Sequence, residues 1–364
     1  MNIKPSFHGS DLEQIETYYG IAKEEMISFG ANVNPLGISS KVTEALKQRL
    51  DVITRYPDRD YKDLRNVIAA YCHTDSSYVA VGNGSTELIS LLISSRMPKK
   101  AFVLGPTYSE YGRELKLSGA KTRQYLLKES LDFRLDVNDF LAQMPDDTDL
   151  VIICNPNNPT SSALTLEEMR KIVSECAKHD IFVMVDETYA EFAPSLDEVS
   201  SIPLATDYEN LMILRGVSKF FAAPGLRLGY GITSSQDFLN TLRERQIPWS
   251  LNSFGALAGE LMLADHDHIR RTKELISSER ERMIKEISTW KCAKLYPAYG
   301  NFLFLKICEQ NLSSFDVFEY LIRKKLMIRD CSSFDGLDGE FIRFCVMNPE
   351  DNDRLLYYLK ELLG

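Results

Sequence analysis

Residues 181–187, IFVMVDE, hold the pattern that decides the fold: the apolar run Ile181–Val185 is followed at once by two acids. A strand that is apolar on both faces is typical of a parallel sheet that helices cover on each side. Similar runs occur at Leu150–Cys154 and Leu211–Leu214, and helical patterns such as Thr165–Lys178 lie between them. This alternation predicts an α/β fold built on a mostly parallel sheet.

The rest of the chain extends this sheet and then changes in character. Further apolar runs predict strands at 78–81, 101–104 and 228–232. Beyond residue 236, long charge-rich helical periodicity over 254–290 precedes two short strands, which predicts a smaller α+β domain. We therefore predict an N-terminal arm at 1–35 that packs with the small domain, a large domain at 36–236 and a small domain at 237–364.

The composition excludes several broad classes of protein. The chain has 364 residues and a net charge of −10, which argues against a general nucleic-acid binder. Its seven cysteines are odd in number and widely spaced, so neither a disulfide framework nor a metal site is predicted. No apolar run reaches the ~18 residues of a membrane span, and the start lacks a signal-peptide core. We expect a protein of the reducing cytoplasm with no nucleic-acid or membrane partner.

Residues that can contact a ligand follow five of the predicted strands. They are Gly84, Ser85 and Thr86 after the first strand, Tyr108 after the second, Asn158 after the third, Asp186 at the end of the fourth and Lys219 after the fifth. Ligands bind beyond the carboxyl ends of the strands in an open parallel sheet. We therefore expect these groups to face one crevice.

This set of groups suits pyridoxal 5'-phosphate (PLP), a flat pyridine that carries a phosphate, a hydroxyl and an aldehyde. The helix N-terminus at 84–86 favours the phosphate, because free N–H groups and the helix dipole attract an anion. Tyr108 can stack on the ring. Asp186 can hold the proton on the ring nitrogen that makes the ring an electron sink, and Lys219 supplies the amine that the aldehyde needs.

Further side chains complete the predicted cofactor site. Asn158 and Tyr189 can donate to the ring hydroxyl, Arg227 can clamp the phosphate, and Ser218 can add a hydroxyl. Each feature alone has a plainer interpretation: the glycine turn can be a simple strand–helix connector, and a lone lysine is usually solvated. Their joint order at successive strand ends favours the cofactor site.

Three motifs carry a resemblance to a known family. They are Asn155-Pro156-Asn157-Asn158-Pro159-Thr160, Asp186-Glu187-Thr188-Tyr189, and Ser218-Lys219 followed by Gly225-Leu226-Arg227-Leu228-Gly229-Tyr230. In these motifs, and over nearly its whole length, the chain resembles the fold-type I, class I/II aminotransferases.

Within that family the sequence is similar to the branch of histidinol-phosphate aminotransferases and threonine-phosphate decarboxylases. The matching stretches are His8-Gly9, Asn32–Gly37, Arg55–Asp58, Gly82–Glu87 and Pro248–Asn252. The first and last of them lean towards the decarboxylases.

The resemblance implies a PLP enzyme that forms a homodimer. Each subunit would have a large cofactor-binding domain and a smaller domain. It implies that Lys219 forms the internal aldimine and moves protons through a quinonoid intermediate. The other implied roles are Asp186 on the ring nitrogen, Tyr189 and Asn158 on the ring hydroxyl, Tyr108 stacked on the ring, Ser85, Thr86, Ser218 and Arg227 on the phosphate, Tyr56 reaching that phosphate from the neighbouring subunit, Arg343 on the substrate α-carboxylate, Arg329 facing a distal anion, and His8 and Asn32 at the substrate entrance. A surface salt bridge with Asp330 or another acid is the alternative for Arg329, and a disordered arm is the alternative for His8.

The chain departs from the family pattern at three positions. Gly216 stands where many relatives carry a hydroxyl, and Ser161 stands where a glycine is usual. Ser10 follows His8-Gly9 at a position where the decarboxylases commonly have a second glycine. The last two departures weaken the assignment to a standard decarboxylase.

The type of reaction stays open between two outcomes that need the same cofactor residues. An aminotransferase acting on a small amino acid or amine, with or without a phosphate, is slightly favoured; a decarboxylase of the O-phosphothreonine type is the close alternative, and a histidinol-phosphate aminotransferase the lesser one. A non-enzymatic regulator that keeps the fold is a further alternative, which the intact Lys219, Asp186 and Arg343 oppose. A dehydrogenase fails because Glu87 interrupts the glycine-rich motif.

Overall fold

The structure, a computed structural model, describes residues 7–364. In this range the strands are β1 (Ile27–Ser28), β2 (Val79–Asn83), β3 (Lys100–Gly105), β4 (Lys121–Leu126), β5 (Leu150–Cys154), β6 (Phe182–Asp186), β7 (Leu211–Gly216), β8 (Leu228–Ile232), β9 (Ala293–Leu295), β10 (Phe302–Ile307), β11 (Leu326–Met327), β12 (Arg329–Asp330) and β13 (Phe341–Cys345). The α-helices are α1 (Leu12–Tyr19), α2 (Ser40–Gln48), α3 (Lys62–Cys72), α4 (Ser85–Arg96), α5 (Ser109–Ser118), α6 (Val137–Gln143), α7 (Leu166–Lys178), α8 (Leu196–Val199), α9 (Gln236–Arg245), α10 (Ser253–Leu263), α11 (His266–Ile287), α12 (Ser314–Arg323) and α13 (Pro349–Leu363).

The largest sheet has seven strands in the order β2-β8-β7-β6-β5-β3-β4. β7, β6, β5, β3 and β4 run parallel to one another, whereas β8 is antiparallel to both β7 and β2. Every residue of β5 and β6 is buried, as expected for strands that helices cover on both faces. The predicted α/β class with a large, mostly parallel sheet is confirmed.

A second, four-stranded antiparallel sheet has the order β12-β13-β10-β9. β1, close to the N-terminus, pairs in parallel with β11, so the segment around residue 27 is tied to the C-terminal part of the chain. The predicted arm at 1–35 lies in part outside the described residues, because residues 1–6 are not among them. The predicted domain boundaries at 35 and 236 remain predictions.

Two elements of the seven-stranded sheet differ from the sequence-based expectation. β4 was not predicted, because its sequence, KTRQYL, is polar and its first three residues are exposed at the edge of the sheet. An edge strand needs no apolar pattern on both faces. The strand β8 has its predicted bounds, but its antiparallel direction could not be inferred from its composition. None of the helices in the described residues is long and apolar enough to cross a membrane.

Candidate active site

The carboxyl ends of β5, β6 and β7 border a cavity of about 220 Å³. Most of the predicted site residues line it. They are His8, Ser85, Thr86, Tyr108, Asn158, Asp186, Tyr189, Ser218, Lys219, Arg227 and Arg343. Residues from an N-terminal segment, five strand ends and a strand of the smaller sheet therefore meet at one place, as the motif order predicts.

Four predicted site residues do not line this cavity. Gly84 is in close contact with the guanidinium of Arg227. Asn32 is fully buried next to the hydroxyl of Tyr189. Arg329 lines an adjoining cavity. Tyr56 is 81% exposed and lies outside the cavity of its own chain.

The amine of Lys219 points into the cavity and donates to the carbonyl oxygen of Ala31 at 2.7 Å. No carboxylate among residues 7–364 forms an ion pair with it. Loss of hydration in the cavity, and then the positive charge of Arg343, lower the pKa of Lys219 from its usual value to about 8. A useful fraction of the amine is therefore neutral near pH 7, and the neutral amine is the form that attacks a carbonyl.

Asp186 ends β6 with its carboxylate in the cavity and only 4% of the residue exposed. Its Oδ2 accepts a hydrogen bond from the hydroxyl of Tyr111 at 2.6 Å. Its Oδ1 accepts from the backbone N–H of Thr188 at 2.9 Å and from the hydroxyl of the same residue at 2.5 Å. These donors hold the carboxylate in one orientation and stabilise its negative charge away from water.

The start of α4 forms the anion-binding corner of the cavity. Gly84 precedes this helix with φ of 82°, and a Cβ atom there would lie 2.3 Å from the guanidinium of Arg227. A Cβ atom on Gly229 would lie 2.2 Å from the backbone nitrogen of Ser85. The two glycines let a guanidinium and a helix N-terminus approach each other closely, which is the arrangement that binds a phosphate.

Arg343 connects the smaller sheet to the cavity. Its side chain donates to Asn158 Oδ1, and its Nη2 donates to the carbonyl oxygen of Gly30 at 2.6 Å. The Nδ2 of Asn158 has no partner among the described residues, so it remains able to donate to a ligand. Tyr189 is buried beside it, and burial raises the pKa of its hydroxyl, which keeps that group protonated as a donor.

A second cavity of about 580 Å³ adjoins the first. His8, Tyr108, Asn158 and Arg343 line both cavities. Arg329 lines only the second, where its Nη2 donates to the hydroxyl of Ser333 at 2.6 Å. It forms no ion pair with Asp330, whose carboxylate instead accepts from Ser314 and Ser332, so the alternative of a surface salt bridge is not observed.

Sequence reasoning missed two residues that hold Asp186. Tyr111 follows Tyr108 by three positions at the start of α5, a spacing that places two side chains on one face of a helix. Thr188 follows Asp186 by two positions, which is the spacing of an Asp side chain that accepts from a nearby backbone N–H. Both spacings also occur in ordinary helices and turns that bind no ligand, so neither one singles out these residues.

The residues fit a flat anionic cofactor such as PLP. A glycine-backed helix N-terminus with Arg227 suits the phosphate, and the buried carboxylate of Asp186 suits a protonated ring nitrogen. The free amide donor of Asn158 suits the ring hydroxyl, and the Lys219 amine, with its lowered pKa, suits an aldehyde. Gly216 offers no hydroxyl, and a Cβ atom there would lie 3.0 Å from the carbonyl oxygen of Leu228.

Comparison with known proteins gives one consistent result. The family model of aminotransferase class I and II matches residues 24–359. A threonine-phosphate decarboxylase of Salmonella typhimurium is 34% identical over 358 residues, covering 98% of this chain and 97% of that protein. A histidinol-phosphate aminotransferase of Methanothermobacter thermautotrophicus is 32% identical over 367 residues, covering 100% of this chain and 95% of that protein.

The solved structures include a similar fold. The histidinol-phosphate aminotransferase of Clostridium acetobutylicum superimposes with a TM-score of 0.86 at 30% sequence identity. The match covers 92% of this chain and 98% of that one. The branch of the family that the sequence motifs resemble is therefore confirmed.

Proposed function

Because this chain belongs to the family of class I and II aminotransferases, we propose that it is a PLP-dependent enzyme that decarboxylates a small O-phosphorylated amino acid. The observation that carries the proposal is a pair of buried arginines, Arg329 and Arg343. They are register partners on the antiparallel strands β12 and β13, and they are 8% and 5% exposed. Neither forms an ion pair with a carboxylate in residues 7–364.

Two buried arginines that face each other destabilise the fold unless a bound anion neutralises their charges. Like charges directly opposite each other in a sheet are destabilising, and a buried charge without a partner is more so. The pair borders the second cavity together with His8. A phosphate dianion placed there would neutralise both guanidinium groups at once, and arginine binds phosphate oxygens in a bidentate manner.

The position of the arginine pair also bears on which bond breaks. If both guanidinium groups hold the phosphate, the α-carboxylate lacks an arginine partner in the first cavity, because Arg227 is assigned there to the cofactor phosphate. A buried carboxylate without a counter-charge is less stable than a paired one. Its conversion to neutral carbon dioxide is therefore more favourable. The similarity to the Salmonella threonine-phosphate decarboxylase supports decarboxylation over transamination. The sequence alone slightly favours transamination.

The side chains of the first cavity supply the remaining steps. When bound, PLP draws electrons from the substrate Cα and so weakens the bond that lies perpendicular to its ring. Asp186 would keep the ring nitrogen protonated, and the N-terminus of α4 with Arg227 would hold the phosphate of the cofactor. The Cα–carboxylate bond breaks, carbon dioxide leaves, and the Nζ of Lys219 delivers a proton to Cα.

The test is to incubate the purified holoenzyme with O-phospho-L-threonine and no 2-oxo acid, and to follow the products by mass. We expect equal amounts of carbon dioxide and 1-amino-2-propyl phosphate, and no product with a Lys219→Ala preparation made in parallel. An intact substrate under these conditions, with a keto product formed only after a 2-oxo acid is added, would contradict decarboxylation.

Transamination is the second candidate, favoured by the similarity to histidinol-phosphate aminotransferases in sequence and in structure. In that reaction Arg343 would hold the substrate α-carboxylate, as the family resemblance implies, and Arg329 alone would face the distal anion. The amine of Lys219 would then act as the general base that takes the proton from Cα and, in the following step, as the general acid that gives it up. The same incubation with histidinol phosphate and 2-oxoglutarate tests this candidate.

A homodimer is part of the proposal. Ile53, Tyr56 and Trp249 line a shallow surface groove, and they are 66%, 81% and 41% exposed. The rings of Tyr56 and Trp249 lie 5.0 Å apart. Exposed aromatic clusters of this kind favour protein association. We propose that a second copy covers this surface and receives the hydroxyl of Tyr56 at its own cofactor phosphate.

A further inference from the structure

A buried tyrosine hydroxyl contacts the carboxylate that is proposed to face the cofactor ring. Tyr111 lies at the third position of α5 and is 1% exposed. Its hydroxyl donates to Asp186 Oδ2 at 2.6 Å, and its ring meets the edge of Tyr108 at a centroid distance of 5.6 Å. Burial, and then the charge of Asp186, hold the pKa of Tyr111 well above its usual value. The phenol therefore stays protonated and acts as a donor to the carboxylate.

The donors that residues 7–364 supply to Asp186 leave one acceptor position open. Each carboxylate oxygen offers two lone pairs. Oδ1 accepts two hydrogen bonds from Thr188, one from its backbone N–H and one from its hydroxyl. Oδ2 accepts one, from Tyr111. The remaining lone pair is on Oδ2, and the residue lines the cavity with Lys219.

We infer that Tyr111 is a positioning residue that orients Asp186 and shares Oδ2 with the protonated ring nitrogen of the cofactor. The inference rests on the proposed function, because it presupposes that PLP occupies the cavity. It assigns to the hydroxyl of Tyr111 a role that acts through Asp186. Loss of the hydroxyl leaves Thr188 as the remaining donor to the carboxylate among the described residues, so that Oδ2 is held less firmly. The ion pair between Asp186 and the ring nitrogen then weakens, while the phosphate contacts at the N-terminus of α4 and Arg227 are unaffected.

The ring nitrogen provides a direct test of this coupling. The experiment measures the affinity of the apoprotein and of Tyr111→Phe for PLP and for 1-deazapyridoxal 5'-phosphate, in which a carbon replaces the ring nitrogen. The four values form a cycle that isolates the interaction between the hydroxyl and the nitrogen. We expect Tyr111→Phe to bind PLP roughly tenfold more weakly, as for the loss of a hydrogen bond to a charged group, and to bind the deaza analogue within about twofold of the parent.

A matched control is available in the same protein. Tyr125 donates to Asp139 Oδ2 at 2.5 Å, on the edge strand β4 and away from the cavity. Tyr125→Phe removes the same kind of bond and should change neither affinity. Equal weakening of both cofactors by Tyr111→Phe, or no weakening of either, would overturn the inference. Failure of the parent protein to bind PLP would instead overturn the proposed function.

Discussion

Arg215 donates to a single carboxylate oxygen of Glu187, from Nε at 3.0 Å and from Nη2 at 2.7 Å. Both residues are buried, at 2% and 0% exposure. Arg215 belongs to β7, four residues before Lys219, and Glu187 directly follows Asp186. The ion pair therefore fastens together the two strand ends that carry the amine and the carboxylate of the proposed active site.

Breaking this ion pair should destabilise the whole protein. We expect Arg215→Met to lower the free energy of unfolding by about 3–5 kcal/mol, because it leaves the Glu187 carboxylate buried without its counter-charge. Urea unfolding followed by circular dichroism measures the loss. Arg323→Met, which changes an exposed arginine with only a surface pair to Glu319, should cost less than about 1 kcal/mol. Adding Glu187→Leu to Arg215→Met should restore part of the stability, because no buried charge is then left without a partner. A double variant with a lower free energy of unfolding than either single variant would contradict this account.

The reactivity of Lys219 should follow its lowered pKa. We expect the rate at which the apoprotein captures PLP to rise with pH through a midpoint of about 8, because only the neutral amine reacts. Arg343→Met should move the midpoint upward, since a nearby positive charge no longer opposes protonation of the amine. The midpoint should stay below that of an ordinary lysine, because loss of hydration is the larger cause.

Absorbance changes after mixing with PLP give these rates directly. Arg329→Met serves as the control, because Arg329 does not contribute to the lowered pKa of Lys219 and should leave the midpoint in place. A midpoint near the usual lysine value in the parent protein would show that the amine is solvated.

The arginine pair should distinguish phosphorylated from unphosphorylated substrates. We expect Arg329→Gln to lower kcat/KM by roughly a hundredfold for O-phosphothreonine, as for the loss of a charge-assisted contact, and by less than about threefold for threonine. Steady-state kinetics with both substrates provide the comparison, and Arg323→Gln provides a matched surface variant. Equal losses on the two substrates would remove the phosphate-binding role of Arg329.

Tyr56 should act across a dimer interface. We expect Tyr56→Ala and Lys219→Ala to be nearly inactive when pure. When they are co-expressed, mixed dimers should carry one intact site each, so that roughly a quarter of all sites recover. Activity measurements on the mixture, with native mass spectrometry to confirm mixed dimers, make the test. Mixed dimers that stay inactive would show that each subunit builds its site alone.

The sequence predicts the strands of the large sheet well, except for the edge strand β4. The central strands β5 and β6 are buried on both faces, so uninterrupted apolar runs identify them. The edge strand β4 pairs on one side only and carries charges, which removes that signal. The direction of β8 depends on how the chain returns to the sheet, and an apolar run carries no information about direction.

The candidate site shows the same division between local and distant contacts. Lys219 and Asp186 occur at predicted strand ends, and the topology of a parallel sheet brings strand ends together. The facing positions of Arg329 and Arg343 depend on the register of β12 against β13, which no local pattern specifies. The contact between Tyr111 and Asp186 joins residues 75 positions apart. Contacts of this kind become visible only once the tertiary structure is known.

The central claim is that the amine of Lys219 holds the cofactor covalently. The most direct measurement is to reduce the PLP-loaded protein with borohydride, digest it and locate the pyridoxyl label by peptide mass spectrometry. We expect one label per chain, on the peptide that contains Lys219, with loss of the visible absorption band. A label on a different lysine, or a protein that takes up no label at saturating PLP, would contradict the account.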